Sequence, residues 1–178
     1  TAFGRVQRTF GKVIASVNLN LNYSKINQFI EAQRSVNTSF TQSYTPGVRT
    51  NFKKAPNVSL TYNFSIATNN QGSNETTFYT SAPSIDFDAY LCNTVTLRSD
   101  YTYTRQTLKA GNTGSFQTWN ASLAYRKDRD AKWEYEIVAT NLLDIDSKLT
   151  NTATNLFVSQ SRIFIQPRFL TFRLRYEI

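Results

Sequence analysis

The sequence contains no histidine, no methionine and a single cysteine, Cys92. Without histidine neither a Ser–His nor a Cys–His nucleophile pair can be assembled. One cysteine makes neither an internal disulfide nor a zinc site, and a lone cysteine is ordinarily a small apolar side chain. Charged residues make up only 18% of the chain. No apolar run approaches the ~20 residues that a transmembrane helix requires. The opening, Thr1-Ala2-Phe3-Gly4-Arg5, carries neither an initiator methionine nor the apolar core of a signal peptide, so the chain reads as a processed product or a segment. The net charge of +8 is dispersed, and no helix-turn-helix, RNP-type or zinc-finger pattern accompanies it, so nucleic acid is not an expected partner.

What is present points to strands. Aromatics reach 14%, and Thr, Tyr, Phe and Val favour pleated structure, while abundant Asn and Ser mark turns and wet faces. The clearest signal is strict alternation, which in a strand sends successive side chains to opposite faces. Val13, Ala15, Val17, Leu19, Leu21 and Tyr23 fall on one face; Ser16, Asn18, Asn20, Asn22 and Ser24 fall on the other. Equivalent stretches begin near Val36, Val58, Ile85, Val95, Trp119, Trp133 and Leu170, with Pro46-Gly47 suggesting a bulge or bend in the second. That predicts about eight strands of roughly ten residues each, the length that crosses a bilayer as a tilted strand. The first dozen residues are ambiguous between a strand end and a turn.

The connections predict two unlike ends. Long or polar links fall at 25–35, 69–77, 107–115 and 143–162; short ones fall at 53–57, around 92–93, and at 127–130. Short turns at one end and long loops at the other match outer-membrane barrels, and they run the last strand toward the periplasm. Two aromatic belts are expected on the apolar face: Tyr23, Phe40, Tyr101, Tyr103 and Trp119 toward the long loops, and Phe52, Phe87, Tyr125, Trp133, Tyr135 and Tyr176 toward the short turns. The opposite face supplies the lumen-facing candidates Asn18, Asn20, Asn22, Arg98, Asp100, Glu134, Glu136, Arg173 and Arg175. Glu134 and Glu136 are two apart and share a face, as a general acid–base pair would. The simpler reading is a solvated wall in which they pair with Arg173 and Arg175 on the next strand and hold its register. No catalytic constellation, metal site or cofactor site is expected. The fold class is therefore all-β: an antiparallel up-and-down transmembrane β-barrel, with residues 1–178 one barrel segment and no plug domain among them.

The C-terminal region carries a family resemblance. Asn141-Leu142-Leu143-Asp144 closes a strand, a polar loop follows, and Ile165-Gln166-Pro167-Arg168-Phe169-Leu170 leads into the strand Thr171–Ile178. This resembles the C-terminal end of Bacteroidetes-type TonB-dependent receptor-like outer-membrane barrels, and Asn18-Leu19-Asn20-Leu21-Asn22-Tyr23-Ser24-Lys25 resembles their strands. Such barrels commonly end in Phe or Trp, whereas this sequence ends in Ile178. The resemblance implies the last part of a barrel of about 22 strands, whose plug and TonB box lie outside these residues. It implies outer-membrane localisation, nutrient uptake energised by the TonB complex, and contacts with outer-membrane lipid, the rest of the barrel, the plug and a surface lipoprotein. Leu170, Phe172, Leu174, Tyr176 and Ile178 resemble the terminal β-signal read by the barrel-assembly machinery, where a regular strand edge suits β-augmentation. The rival readings are a non-transporting barrel within a surface or secretion complex, a complete eight-strand barrel, and a soluble β-sandwich or lipocalin-like module with its apolar face inside.

Overall fold

Alternation of this strictness leaves a chain one way to bury both its backbone and one face, which is as a sheet. A computed structural model describes residues 1–178 except 31–32, 54–55, 72–73, 93, 110, 112, 129, 154–157 and 178, and describes no side chains at 28–30, 33–34, 113, 149–153 and 158–159. Its elements are β1 (Ala2–Phe10), β2 (Val13–Ile30), β3 (Gln33–Thr50), β4 (Asn57–Gln71), β5 (Asn74–Leu91), β6 (Val95–Leu108), β7 (Thr113–Arg126), β8 (Trp133–Thr140), β9 (Ser147–Ala153), β10 (Val158–Phe164) and β11 (Phe169–Tyr176). Nine strands form one sheet in the order β1-β2-β3-β4-β5-β6-β7-β8-β11, and β9 and β10 form a separate hairpin. Every neighbouring pair is antiparallel.

Four expectations change. The ambiguous first residues form β1, joined to β2 through Gly11-Lys12. Gly11 has φ 60° there, the left-handed conformation that the first central residue of a tight hairpin turn adopts. The main sheet thus has nine strands instead of eight. The stretch 143–162 is not simply loop, since it contains β9 and the start of β10. The other three long links are mostly strand: β2 continues to Ile30, β4 to Gln71 and β6 to Leu108. The two ends therefore differ chiefly in hairpin height, and the longest gaps between consecutive paired strands, 51–56 and 127–132, fall at the end where short turns were expected. Strands of 14–18 residues from β2 to β7 outrun the roughly ten needed to cross a bilayer. Side chains such as Lys25, Thr38, Asn70, Glu75 and Arg105 make the apolar face polar in these extensions.

Pro46-Gly47 makes no bulge. The register runs unbroken from Tyr44↔Phe64 to Gly47↔Thr61, although the ladder lapses between them. Pro46 pairs with Val17 on the side where no N–H is needed. Pro83 likewise pairs with Tyr62, and the ladder lapses on its β6 side.

Rows of paired residues climb relative to the strand ends. One row runs Arg8, Ala15, Val48, Leu60, Ile85, Tyr101, Trp119. Arg8 lies two residues from the end of β1 at Phe10, while Trp119 lies seven from the end of β7 at Arg126. Five residues of climb correspond to about 17 Å along the strand. Such stagger is what tilted barrel strands require.

Candidate functional site

Directly opposed residues share a face, so the registers assign every strand residue. One face gathers the apolar set: Val17, Leu19, Tyr44, Leu60, Phe64, Ile85, Leu97, Leu123, Ile137 and Phe172 among others, and many of these are exposed. The other gathers Asn, Ser, Thr and most strand charges. All nine lumen candidates, Asn18, Asn20, Asn22, Arg98, Asp100, Glu134, Glu136, Arg173 and Arg175, lie on this polar face. Asn37, Asn69 and Glu136 are buried on it, while most of the exposed large apolar side chains stand on the other face.

The structure brings the terminal charges together. Arg175 Nη1 lies 2.9 Å from Glu134 Oε1, and its Nη2 lies 2.9 Å from Glu136 Oε2. Arg173 Nη1 is 3.5 Å from the same Glu136 oxygen. Arg126 on β7 extends the network, 2.7 Å from Glu177 Oε1 and 3.7 Å from Glu134 Oε2. Glu136 is only 4% exposed, and two guanidiniums satisfy it. The network ties β7, β8 and β11 in register; the role of Arg126 was not foreseen, although its place at the end of an alternating strand opposite Glu134 was readable. A second cluster joins Asp86, Asp88, Arg98 and Asp100: Arg98 Nε is 3.5 Å from Asp88, and Asn120 Nδ2 donates to Asp100 Oδ2 at 2.8 Å. Among the described residues no group of three or more ligating side chains is placed to hold a metal ion.

Of the aromatic candidates, ten share the apolar face and Phe52 lies in the β3–β4 turn. Trp133 and Tyr176 meet with tilted rings at 4.7 Å, Tyr125 and Tyr135 at 6.4 Å, and Tyr135 and Phe172 at 6.5 Å, all toward the low-hairpin end. Tyr23 faces Phe40 and Tyr101 faces Trp119 farther up the strands. Trp119 Nε1 donates to Ser99 Oγ at 2.9 Å and Tyr101 OH to Gln117 Oε1 at 2.9 Å, so the polar tips are satisfied within the face. Leu143 lines, together with Tyr101 and Trp119, an apolar cleft of about 550 Å³. Leu170, Phe172, Leu174 and Tyr176 alternate on the same face of β11, whose other edge has no strand partner among the described residues; Ile178 lies outside them.

The Asn141–Asp144 and Gln166–Arg168 segments form a clasp that composition could not reveal. Asn141 is 3% exposed with φ 52°, a conformation asparagine tolerates. Its Nδ2 donates to Ile145 O (3.0 Å) and Gln166 O (2.9 Å), and its Oδ1 accepts from Ile145 N (3.0 Å). Its own N–H reaches Asn120 Oδ1 at 3.0 Å on the sheet. Asp144 Oδ1 accepts from Arg168 N at 3.0 Å, and its other oxygen lies 4.0 Å from the Arg168 guanidinium. Ile165 N donates to Asp146 O at 2.9 Å, closing the two legs. The β9–β10 hairpin is thus pinned at its base, where Lys148 Nζ sits 5.7 Å from the ring centre of Phe116, a polar-face residue of β7.

No family model matches the sequence, and no curated protein matches it. Among solved structures the fold is similar to OmpT (in-vitro folded), an outer membrane protein of Vibrio cholerae, with a TM-score of 0.56 and 13% identity over 97% of this chain and 53% of that one. The chain spans about half the length of that structure. At this identity the likeness concerns architecture: the chain is an all-β, antiparallel up-and-down sheet with the fold of an outer-membrane β-barrel wall.

Proposed function

We propose that this chain is part of the wall of an outer-membrane TonB-dependent receptor-type barrel that admits a nutrient through its interior. The observation that carries the reading is the pair of unlike faces continuous across nine up-and-down strands. A soluble sheet hides its apolar face; here that face is exposed across the sheet, as contact with hydrocarbon demands. The apolar band starts at the short-hairpin end and gives way to polar extensions at the other, which supports placing the tall hairpins outside the cell and the end of β11 at the periplasm. Aromatic pairs toward both ends of the apolar face support an interfacial girdle. The resemblance of the Asn-Leu-Leu-Asp and Gln-Pro-Arg segments to TonB-dependent receptors supports the transport role, with the plug, the TonB complex, the assembly machinery and a surface lipoprotein as partners. The test is fractionation followed by an energy requirement. The protein should extract from outer membranes in detergent with a mass well above the 20.4 kDa of this chain, and uptake should stop in cells lacking the TonB complex. Recovery in the soluble fraction overturns the membrane reading; uptake indifferent to TonB overturns the receptor class.

A further inference from the structure

Although the basic residues are dispersed along the strands, the acidic ones are not: residues 1–74 hold eight of the 20 basic residues and one of the 12 acidic ones. Two of those eight, Arg5 on β1 and Arg49 on β3, lie on the polar face and flank a notch of about 150 Å³. The hydroxyls of Ser16, Ser59 and Thr61 line the same notch, and Gly47 forms its floor. The notch exists because position 47 lacks a side chain: a Cβ there would stand 3.4 Å from Leu60 O, 3.5 Å from Thr61 Oγ1 and 3.6 Å from Ser16 Oγ. Arg5 is steadied by Gln7, whose Oε1 accepts from its Nη2 at 2.7 Å. Among the described residues neither Arg5 nor Arg49 pairs with a carboxylate, in contrast to Arg98, Arg126, Arg173 and Arg175 on the later strands. The nearest acid along the row is Asp86, which faces Ser59 from β5.

We propose that this notch binds a tetrahedral oxyanion, phosphate or sulfate, free or carried by the permeating solute. Guanidinium forks match such oxygens geometrically, and the three hydroxyls supply further donors. At about 30 Å³ per water, the notch has room for about five waters, or for one oxyanion with part of its hydration shell. The proposal rests on the reading that the polar face lines the water-filled interior. The full protein in detergent is titrated calorimetrically with inorganic phosphate and with sulfate, at low and high sodium chloride. Saturable binding is expected, weakened at least tenfold in Arg5→Gln/Arg49→Gln and in Gly47→Val, and weakened by salt. Arg173→Gln should bind as the parent does. No binding, or binding unchanged in both notch variants, overturns the site. Labelling of Ser122→Cys in a Cys92→Ser background by a membrane-impermeant maleimide in intact vesicles separates the two failures, since Cys92 is itself a free, exposed thiol: labelled protein that binds no phosphate loses the notch alone, whereas unlabelled protein loses the interior reading as well.

Discussion

Two residues hold more than their own neighbourhood. Asn141 spends its amide on both legs of the β9–β10 excursion. Asn141→Ala removes the three side-chain hydrogen bonds to the backbone of Ile145 and Gln166, a loss of about 2–4 kcal/mol. Urea unfolding of the full protein in vesicles should show it, with faster protease cleavage in 145–165. Glu136 is the second, a shielded carboxylate between the guanidiniums of Arg173 and Arg175. The arginines are half-exposed, so Glu136→Gln should cost only about 1–3 kcal/mol. Much of the parent's advantage should fade in high salt, where surface-facing pairs are screened. A variant as stable as the parent at low salt would show that the network does not hold β11.

At the scale of the strand, the side a residue faces decides what it tolerates. Leu123→Arg puts a charge on the apolar face of β7, where hydrocarbon contact makes it cost about 2–4 kcal/mol near the midplane. Ser122→Arg, one residue away on the polar face, should fold and insert like the parent, and heat-modifiable mobility on a gel reads both. The division into two faces was legible in the sequence, because period-two alternation needs no tertiary information: the nine polar candidates share one face and ten of the eleven aromatic candidates share the other. Strand ends were less legible. Beyond Tyr23 or Ile66 the apolar alternation stops, and Asn, Ser and Thr serve a protruding ladder as readily as a loop, so the hairpin extensions read as links. β1 was obscured by Arg8 standing on its apolar face, where it covers Phe10 at 5.0 Å. The clasp was legible only as a motif, since its meaning depends on contacts up to 25 residues apart. The notch was hidden for the same reason: Arg5 and Arg49 meet only once three strands are paired.

For the whole sheet, parity matters. Consecutive strands reverse, and β9 and β10 leave together, so β1 and β11 at the two edges run the same way. Joining those edges would need a parallel seam, whereas bacterial barrels of this type are built antiparallel with even strand numbers. On the proposed barrel reading, closure therefore takes an odd number of further strands. The 178 residues expressed alone should give no heat-resistant closed form in detergent and should associate through bare edges. A closed, monomeric product from this chain alone would refute the count.

The clasp also has a bearing on how such a protein changes over time. With the legs of the excursion already hydrogen-bonded at Asp146 and Ile165, the segment above them is a cartridge seated in a fixed socket. Replacing residues 147–164 with a two-residue Asn-Gly turn should leave unfolding of the wall within about 0.5 kcal/mol of the parent. On the proposed barrel reading, such a base lets the hairpin above it change in sequence and length without renegotiating the wall that carries it.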